Sequence, residues 1–163
     1  MGFTMHKVFL ALGANVGNRE RNINLSIKLL KEKIKNVRLA PIYESKAVGY
    51  KDQANFLNTA LLGFTALSPL ELLDFIKKVE KKVGRIKRFK WGPREIDIDI
   101  LFYENLIYKE DKLQIPHPRL HERDFVLQPL LDLEPQFEHP VFKKTVKKLL
   151  EESSQVKSII QRI

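Results

Sequence analysis

The 163-residue chain has no cysteine, which rules out disulfides, zinc–thiolate centres and thiol nucleophiles. It also has no apolar run long enough to span a bilayer. Met1 to Lys7 lacks the basic start and apolar centre of a secretory leader. These absences predict a cytoplasmic protein with no membrane partner. A P-loop of the form Gly-x-x-x-x-Gly-Lys-Ser/Thr is missing, and Gly13 to Gly17 does not fit the dinucleotide-binding Gly-x-Gly-x-x-Gly. No Ser-His-Asp arrangement suggests itself. Neither repeats, linkers nor low-complexity tracts interrupt the sequence, so residues 1–163 are expected to form one domain.

Acidic charge is in short supply. Lys and Arg total 29 against 20 Asp and Glu, giving a net charge of +9 and a pI near 9.7. The partner should therefore be anionic: nucleic acid, a membrane surface or a polyphosphate nucleotide. The 44% of hydrophobic residues is enough to bury a core. The Lys/Glu-rich, cysteine-free balance leans thermophilic.

Hydrophobic spacing then orders the chain. Lys7 to Leu12 reads as a strand, followed by a turn from Gly13. Asn18 is a suitable cap for a helix with Ile23, Ile27, Leu30 and Ile34 on one stripe. A second strand runs from about Val37 to Ser45, with Pro41 demanding an edge or a bulge. The turn-prone stretch Gly49 to Asn55 precedes a third strand, Phe56 to Phe64. Ser68-Pro69-Leu70-Glu71 starts a second helix with a capping box, and Gly84 stops it. A basic loop, Arg85 to Lys90, leads into the strand Ile96 to Phe102. The order βαββαβ predicts a ferredoxin-like α+β sandwich. A C-terminal extension adds a hairpin around Tyr103 to Ile115 and helices near Asp124 to Leu133 and Thr145 to Glu152.

The strand Ile96-Asp97-Ile98-Asp99-Ile100 carries the sharpest chemical signal. Residues two apart share a face, about 6.6 Å apart at strand rise, so Asp97 and Asp99 project together. Asp has poor strand propensity, and two like charges need a counter-ion. Oxygen ligands without sulfur or imidazole suit Mg²⁺. Just upstream lie Arg85, Lys87, Arg88, Lys90 and Arg94, flanked by Gly84 and Gly92. Such a loop is either a solvated charge run or a clamp for phosphate oxygens. Trp91 either covers an adenine or braces the loop. Glu80 reads as an exposed helix residue or as a neighbour of a nucleotide at the helix end. His117, fixed between two prolines near Arg119 and Arg123, is a turn residue, a phosphate donor or a general acid. Phe56, Asn58 and Phe125 are either core or a flat slot with a polar edge for a heteroaromatic ring.

Taken together, Lys90-Trp91-Gly92-Pro93-Arg94-Glu95-Ile96-Asp97-Ile98-Asp99 and Pro116-His117-Pro118-Arg119 through Leu127 resemble the 6-hydroxymethyl-7,8-dihydropterin pyrophosphokinase family. The likeness runs from Leu12 to about Leu133. It implies transfer of pyrophosphate from ATP to the pterin's hydroxymethyl group, releasing AMP, in folate biosynthesis. It implies two Mg²⁺ ions held by Asp97 and Asp99, with Arg85 and Arg94 joining them as catalytic groups. Glu80, Arg85, Lys87, Trp91, Arg94, Ile100, His117 and Arg123 would line the ATP side. Phe56 and Phe125 would sandwich the pterin, Asn58 would bind its polar edge, and Ser45, Lys46 and Val48 would supply further contacts. Lys46-Ala47 stands where many members carry proline, Lys87 where some carry Arg, and the 85–91 loop is short.

Two other readings compete. The βαββαβ order with positive charge also describes an RNA-recognition module, but the aromatic strand pattern of that module is missing and Asp97 and Asp99 oppose phosphate. A metal-dependent nuclease would need more acidic ligands than Glu80 and Glu95 supply. The expected partners are therefore small molecules and not nucleic acid.

Overall fold

The computed structural model describes residues 4–50, 52–153 and 157–163. The first three positions of the leader reading, and Lys51 in the Gly49–Asn55 turn, lie outside the described residues. The ferredoxin-like core is formed by β1 (His6–Ala14), α1 (Arg19–Leu30), β2 (Lys35–Leu39), β3 (Tyr43–Ser45), β4 (Phe56–Thr65), α2 (Pro69–Val83) and β5 (Asp97–Tyr103). The expected second strand is divided at Pro41 into β2 and β3. Both still pair antiparallel with β4. Pro has no N–H to give a ladder, so the strand breaks where it occurs.

The cap signals work as the sequence suggests. The Asn18 side chain accepts the Arg21 N–H, Ser68 and Glu71 close a reciprocal capping box, and Gly84 ends α2 in the left-handed region. The extension holds the hairpin β6 (Tyr108–Glu110) and β7 (Leu113–Ile115), then α3 (Asp124–Leu133) and α4 (Val146–Glu152). It ends in an unforeseen strand, β8 (Ile159–Arg162), paired antiparallel with β3.

The main sheet runs β5-β1-β4-β3-β8, with β2 beside β3 on β4. Its two faces are buried differently. Leu10, Leu12, Leu61, Ile98 and Ile100 pack under α1 and α2. Phe9, Leu62, Leu101 and Phe102 pack against Leu127, Leu130 and Leu149 of α3 and α4. An RNA-recognition module would offer that second face to its ligand. Here α3 and α4 cover it, and that reading is set aside.

Candidate active site

Site geometry starts from β5, an edge strand. Ile96, Ile98 and Ile100 are 0%, 5% and 4% exposed in the core under the helices. Strand alternation therefore turns Asp97 and Asp99 to the other face, where their side chains stay 40% and 36% exposed. α2 fastens this strand through Glu80. One carboxylate oxygen of Glu80 accepts the Ile98 N–H at 2.9 Å and the Arg85 Nη1 at 2.6 Å. The same Arg85 nitrogen reaches Asp97 Oδ1 at 3.2 Å. Glu80 is thus not an exposed helix residue; it is buried, at 7% exposure.

Electrostatics at the two aspartates are unfavourable. Although these carboxylates open to the cavity, the protein atoms crowded around its floor strip water from them; that desolvation, then repulsion from Asp99, pushes Asp97 up to about 6 against the pull of Arg85, Arg94 and Arg123. Asp99 is raised as well, mainly by burial, with Arg123 opposing. Glu80 is raised by burial and held back by the Ile98 N–H and Arg85. His117 Nε2 lies 3.9 Å from Asp99 Oδ2. Burial and the Arg123 charge push His117 down to about 4, so it is neutral near pH 7. Its Nδ1 accepts the Arg119 N–H, which leaves the proton on Nε2, facing Asp99. A neutral imidazole in this orientation donates a hydrogen bond from Nε2.

A cavity of about 270 Å³ opens over the pair. Asp97, Asp99, Arg94, His117, Arg123 and Trp91 line it together with Phe56, Asn58, Phe125, Ser45, Lys46 and Val48. Most residues expected at the site therefore face one space. Glu80, Arg85 and Lys87 instead line a neighbouring basic cavity of about 370 Å³ with Lys77, Lys81 and Arg88, and Arg94 touches both. Ile100 lines neither cavity. Strand alternation puts its side chain in the core, so the expectation of a nucleotide-side contact fails for that side chain.

Trp91 lines the cavity and also packs on the basic side chains beside it. Its ring lies against the guanidinium groups of Arg119, at 4.6 Å, and Arg123, at 5.4 Å. Its carbonyl accepts the Gln53 amide at 2.8 Å. Arg88 is no free phosphate clamp, since it grips Glu95 with two hydrogen bonds of 2.6 Å.

Several positions escaped the sequence reading. Asn15 is buried, gives its amide to Gln53 Oε1 and the Ala54 carbonyl, and accepts the Arg94 N–H at 2.8 Å. Its own N–H donates to the Arg94 carbonyl at 2.9 Å, so it joins the loop after β1 to the basic loop. The signal was present as Gly13-Ala14-Asn15, read only as a turn. Gly13 pairs with Asn58 across β1 and β4, and a Cβ there would stand 2.8 Å from Asn58 Oδ1. Glycine keeps that amide in place. Its nitrogen donates to Ser45 Oγ, and Asn58 lines the cavity.

The donor chemistry fits a hard divalent ion. Two repelling carboxylates face the cavity, with no cysteine in the chain and no cluster of three or more His, Cys, Asp or Glu among the described residues. So few protein ligands suit Mg²⁺, which shares its shell with substrate oxygens.

Comparison with known proteins shows the family. The family profile of 7,8-dihydro-6-hydroxymethylpterin-pyrophosphokinase (HPPK) matches residues 9–135. The 2-amino-4-hydroxy-6-hydroxymethyldihydropteridine pyrophosphokinase of Aquifex aeolicus is 49% identical over 92% of this chain and 94% of its own length. A folic acid synthesis protein of Dictyostelium discoideum is 44% identical over 87% of this chain, which spans 22% of that protein. Among solved structures, a Plasmodium falciparum HPPK-DHPS superposes with a TM-score of 0.73 at 16% identity, covering 92% of this chain and 44% of that one. That likeness shows the ferredoxin-like fold alone. Fold, paired carboxylates and sequence converge, and the chain belongs to the 7,8-dihydro-6-hydroxymethylpterin-pyrophosphokinase family.

Proposed function

We propose that this chain transfers the β,γ-pyrophosphoryl group of ATP to the hydroxymethyl group of 6-hydroxymethyl-7,8-dihydropterin, releasing AMP, in folate biosynthesis. Family membership supports the reaction class. The observation that carries the residue assignment is that Asp97 and Asp99 line the same cavity as Phe56, Asn58 and Phe125.

At the slot, Phe56 and Phe125 would stack on the pterin, while the Asn58 oxygen accepts a ring N–H. Ser45, Lys46 and Val48 would close that end. At the other end, Arg94 and Arg123 would take phosphate oxygens, and the neutral His117 would donate Nε2–H to one. Arg85 and Lys87, with Glu80 behind them, would extend the charge along the nucleotide from the adjoining cavity. Trp91 is proposed as the brace that keeps Arg123 aimed at the phosphates.

Asp97 and Asp99 would hold Mg²⁺, proposed as two ions; bound there, the metal neutralises phosphate charge and favours ionisation of the attacking hydroxyl. In-line attack of the hydroxyl on the β-phosphorus needs the two substrates held end to end, and the proposal seats both in this cavity. Positioning and charge stabilisation are therefore assigned the catalytic work, with no dedicated general base. We place the activity in one domain over residues 1–163, in the cytoplasm. Among the described residues, no helix is long and apolar enough to cross a membrane.

Purified protein given ATP, Mg²⁺ and the reduced pterin alcohol should form AMP in step with pyrophosphorylated pterin. Asp97→Ala and Asp99→Ala should each lower turnover by roughly a hundredfold or more while the thermal transition persists. Release of ADP in place of AMP, or full turnover in either variant, would overturn the assignment.

A further inference from the structure

The C-terminal strand β8 lines no part of the cavity, yet its start is fastened to both walls of the slot. Asp124 stands between Arg123 and Phe125, at the first turn of α3, and is 7% exposed. Its two carboxylate oxygens accept three hydrogen bonds from the tail. The Ser158 N–H donates at 2.8 Å, the Ile159 N–H at 3.2 Å, and the Ser158 hydroxyl donates to the other oxygen. Ser158 is itself buried. On the opposite side, the Ser158 carbonyl accepts the Lys46 N–H at 2.9 Å, and Ile159 pairs with Ser45. Ser45 Oγ in turn receives the Asn58 amide.

A continuous path therefore runs from Phe125 through Asp124 and Ser158 to Lys46, Ser45 and Asn58. One wall of the slot belongs to α3, the other to β3 and β4. α3 also meets the sheet directly, through Tyr43 and Asp132 and through Leu127 and Leu130 against β4, but Asp124 itself reaches β3 only by way of the tail. We infer that Asp124 and Ser158 form a latch through which the C-terminal strand sets the width of the slot, making both of them positioning residues for the pterin. The inference rests on the pterin assignment proposed above.

The chemistry of the latch separates it from general scaffolding. An aspartate at 124 accepts all three donors. Asparagine satisfies the same three groups, its oxygen taking the two backbone N–H groups and its amide donating to the Ser158 hydroxyl, which both donates and accepts. Alanine satisfies none. A latch that matters through these bonds must therefore be rescued by Asn, and its loss must be felt at the pterin end alone.

The test measures two dissociation constants in the full chain, one for 6-hydroxymethylpterin and one for a non-hydrolysable ATP analogue with Mg²⁺, alongside Tm. Asp124→Ala should weaken the pterin roughly tenfold or more, as expected for lost hydrogen bonds to a charged group, with nucleotide affinity changed less than about twofold. Asp124→Asn should restore most of the affinity. Ser158→Ala, which keeps both backbone bonds, should weaken the pterin by only a few-fold and serves if Asp124→Ala does not fold. Phe56→Ala and Phe125→Ala report on the slot itself. If they weaken the pterin while Asp124→Ala and Ser158→Ala do not, the latch is wrong and the slot stands. Equal loss of both ligands in the 124 or 158 variants also overturns the latch, because it marks a scaffold effect. If neither Phe substitution affects the pterin, the slot assignment falls and the latch with it.

Discussion

Glu80 is where single-residue chemistry and stability meet. Its carboxylate satisfies the Ile98 N–H on the edge strand and holds Arg85 against Asp97. Glu80→Ala leaves a backbone donor and a guanidinium without their partner, at a cost of roughly 2–4 kcal/mol. Glu80→Gln keeps an acceptor for Ile98 but loses the ion pair, so it should fall between wild type and Ala in chemical denaturation. Turnover should follow the same ranking, because Arg85 and the aspartate strand share this anchor. An Ala variant as stable as wild type would show that Glu80 is dispensable to the site. The burial of Glu80 was partly legible: Leu73, Ile76, Glu80 and Val83 share one helical stripe, and a lone acid in an apolar stripe asks for a partner. Asp97 and Asp99 were legible because period-two alternation leaves little choice of face. The Arg88–Glu95 pairing was not, since a basic loop by itself does not say which cations are already engaged.

Elements with strong local signals lie where the sequence puts them. Both cap motifs, the hairpin and α3 follow from residues within a few positions of one another. The failures are nonlocal. Pro41 asked for an edge or a bulge, and nothing local showed that it would split the strand while both halves stayed on β4. β8 is four residues long and mostly exposed, and its partner lies more than a hundred positions upstream, so no periodicity marks it. Gly84 provides a test at this scale. It adopts φ 115° at the end of α2 and directs the chain into Arg85, whose N–H returns to the Glu80 carbonyl. An added Cβ would meet nothing within 4 Å, so Gly84→Ala isolates backbone strain from crowding. We expect a loss of about 1–2 kcal/mol, lowering Tm by roughly 3–6 °C, with partial recovery in Gly84→Asn. An unchanged Tm in the Ala variant would show that the left-handed turn is not needed.

At the scale of the whole molecule, opposed titrations set the response to acid. His139 is buried beside the second core. It stacks on Phe142 at 4.4 Å and accepts the Val141 and Phe142 N–H groups on Nδ1. Burial, aided by His121, pushes it down to about 4, against about 6.5 for an unfolded histidine. Between those values the unfolded chain binds a proton that the folded chain refuses. Its stabilisation is thus complete above about pH 6.5 and is lost as pH falls towards 4. His117, also pushed down to about 4, adds to that slope. Asp97, pushed up to about 6, acts in the opposite sense: the folded chain binds its proton more readily, and stability is gained as pH falls through that range. Lower still, the Arg88 hydrogen bonds hold Glu95 at about 2, so its contribution is lost only between about pH 4.5 and 2. The raw acid profile mixes these signs, but a difference measurement separates them. His139→Asn keeps an acceptor for the two N–H groups and removes the titration. Relative to wild type at each pH, the variant should gain on the order of 1–2 kcal/mol between pH 7 and pH 5, whatever its absolute stability. Urea unfolding at several pH values reads this directly. Parallel profiles would mean that His139 takes up its proton in the folded chain as easily as in the unfolded one, and that the stacked, doubly hydrogen-bonded ring exerts no control over the acid side of stability.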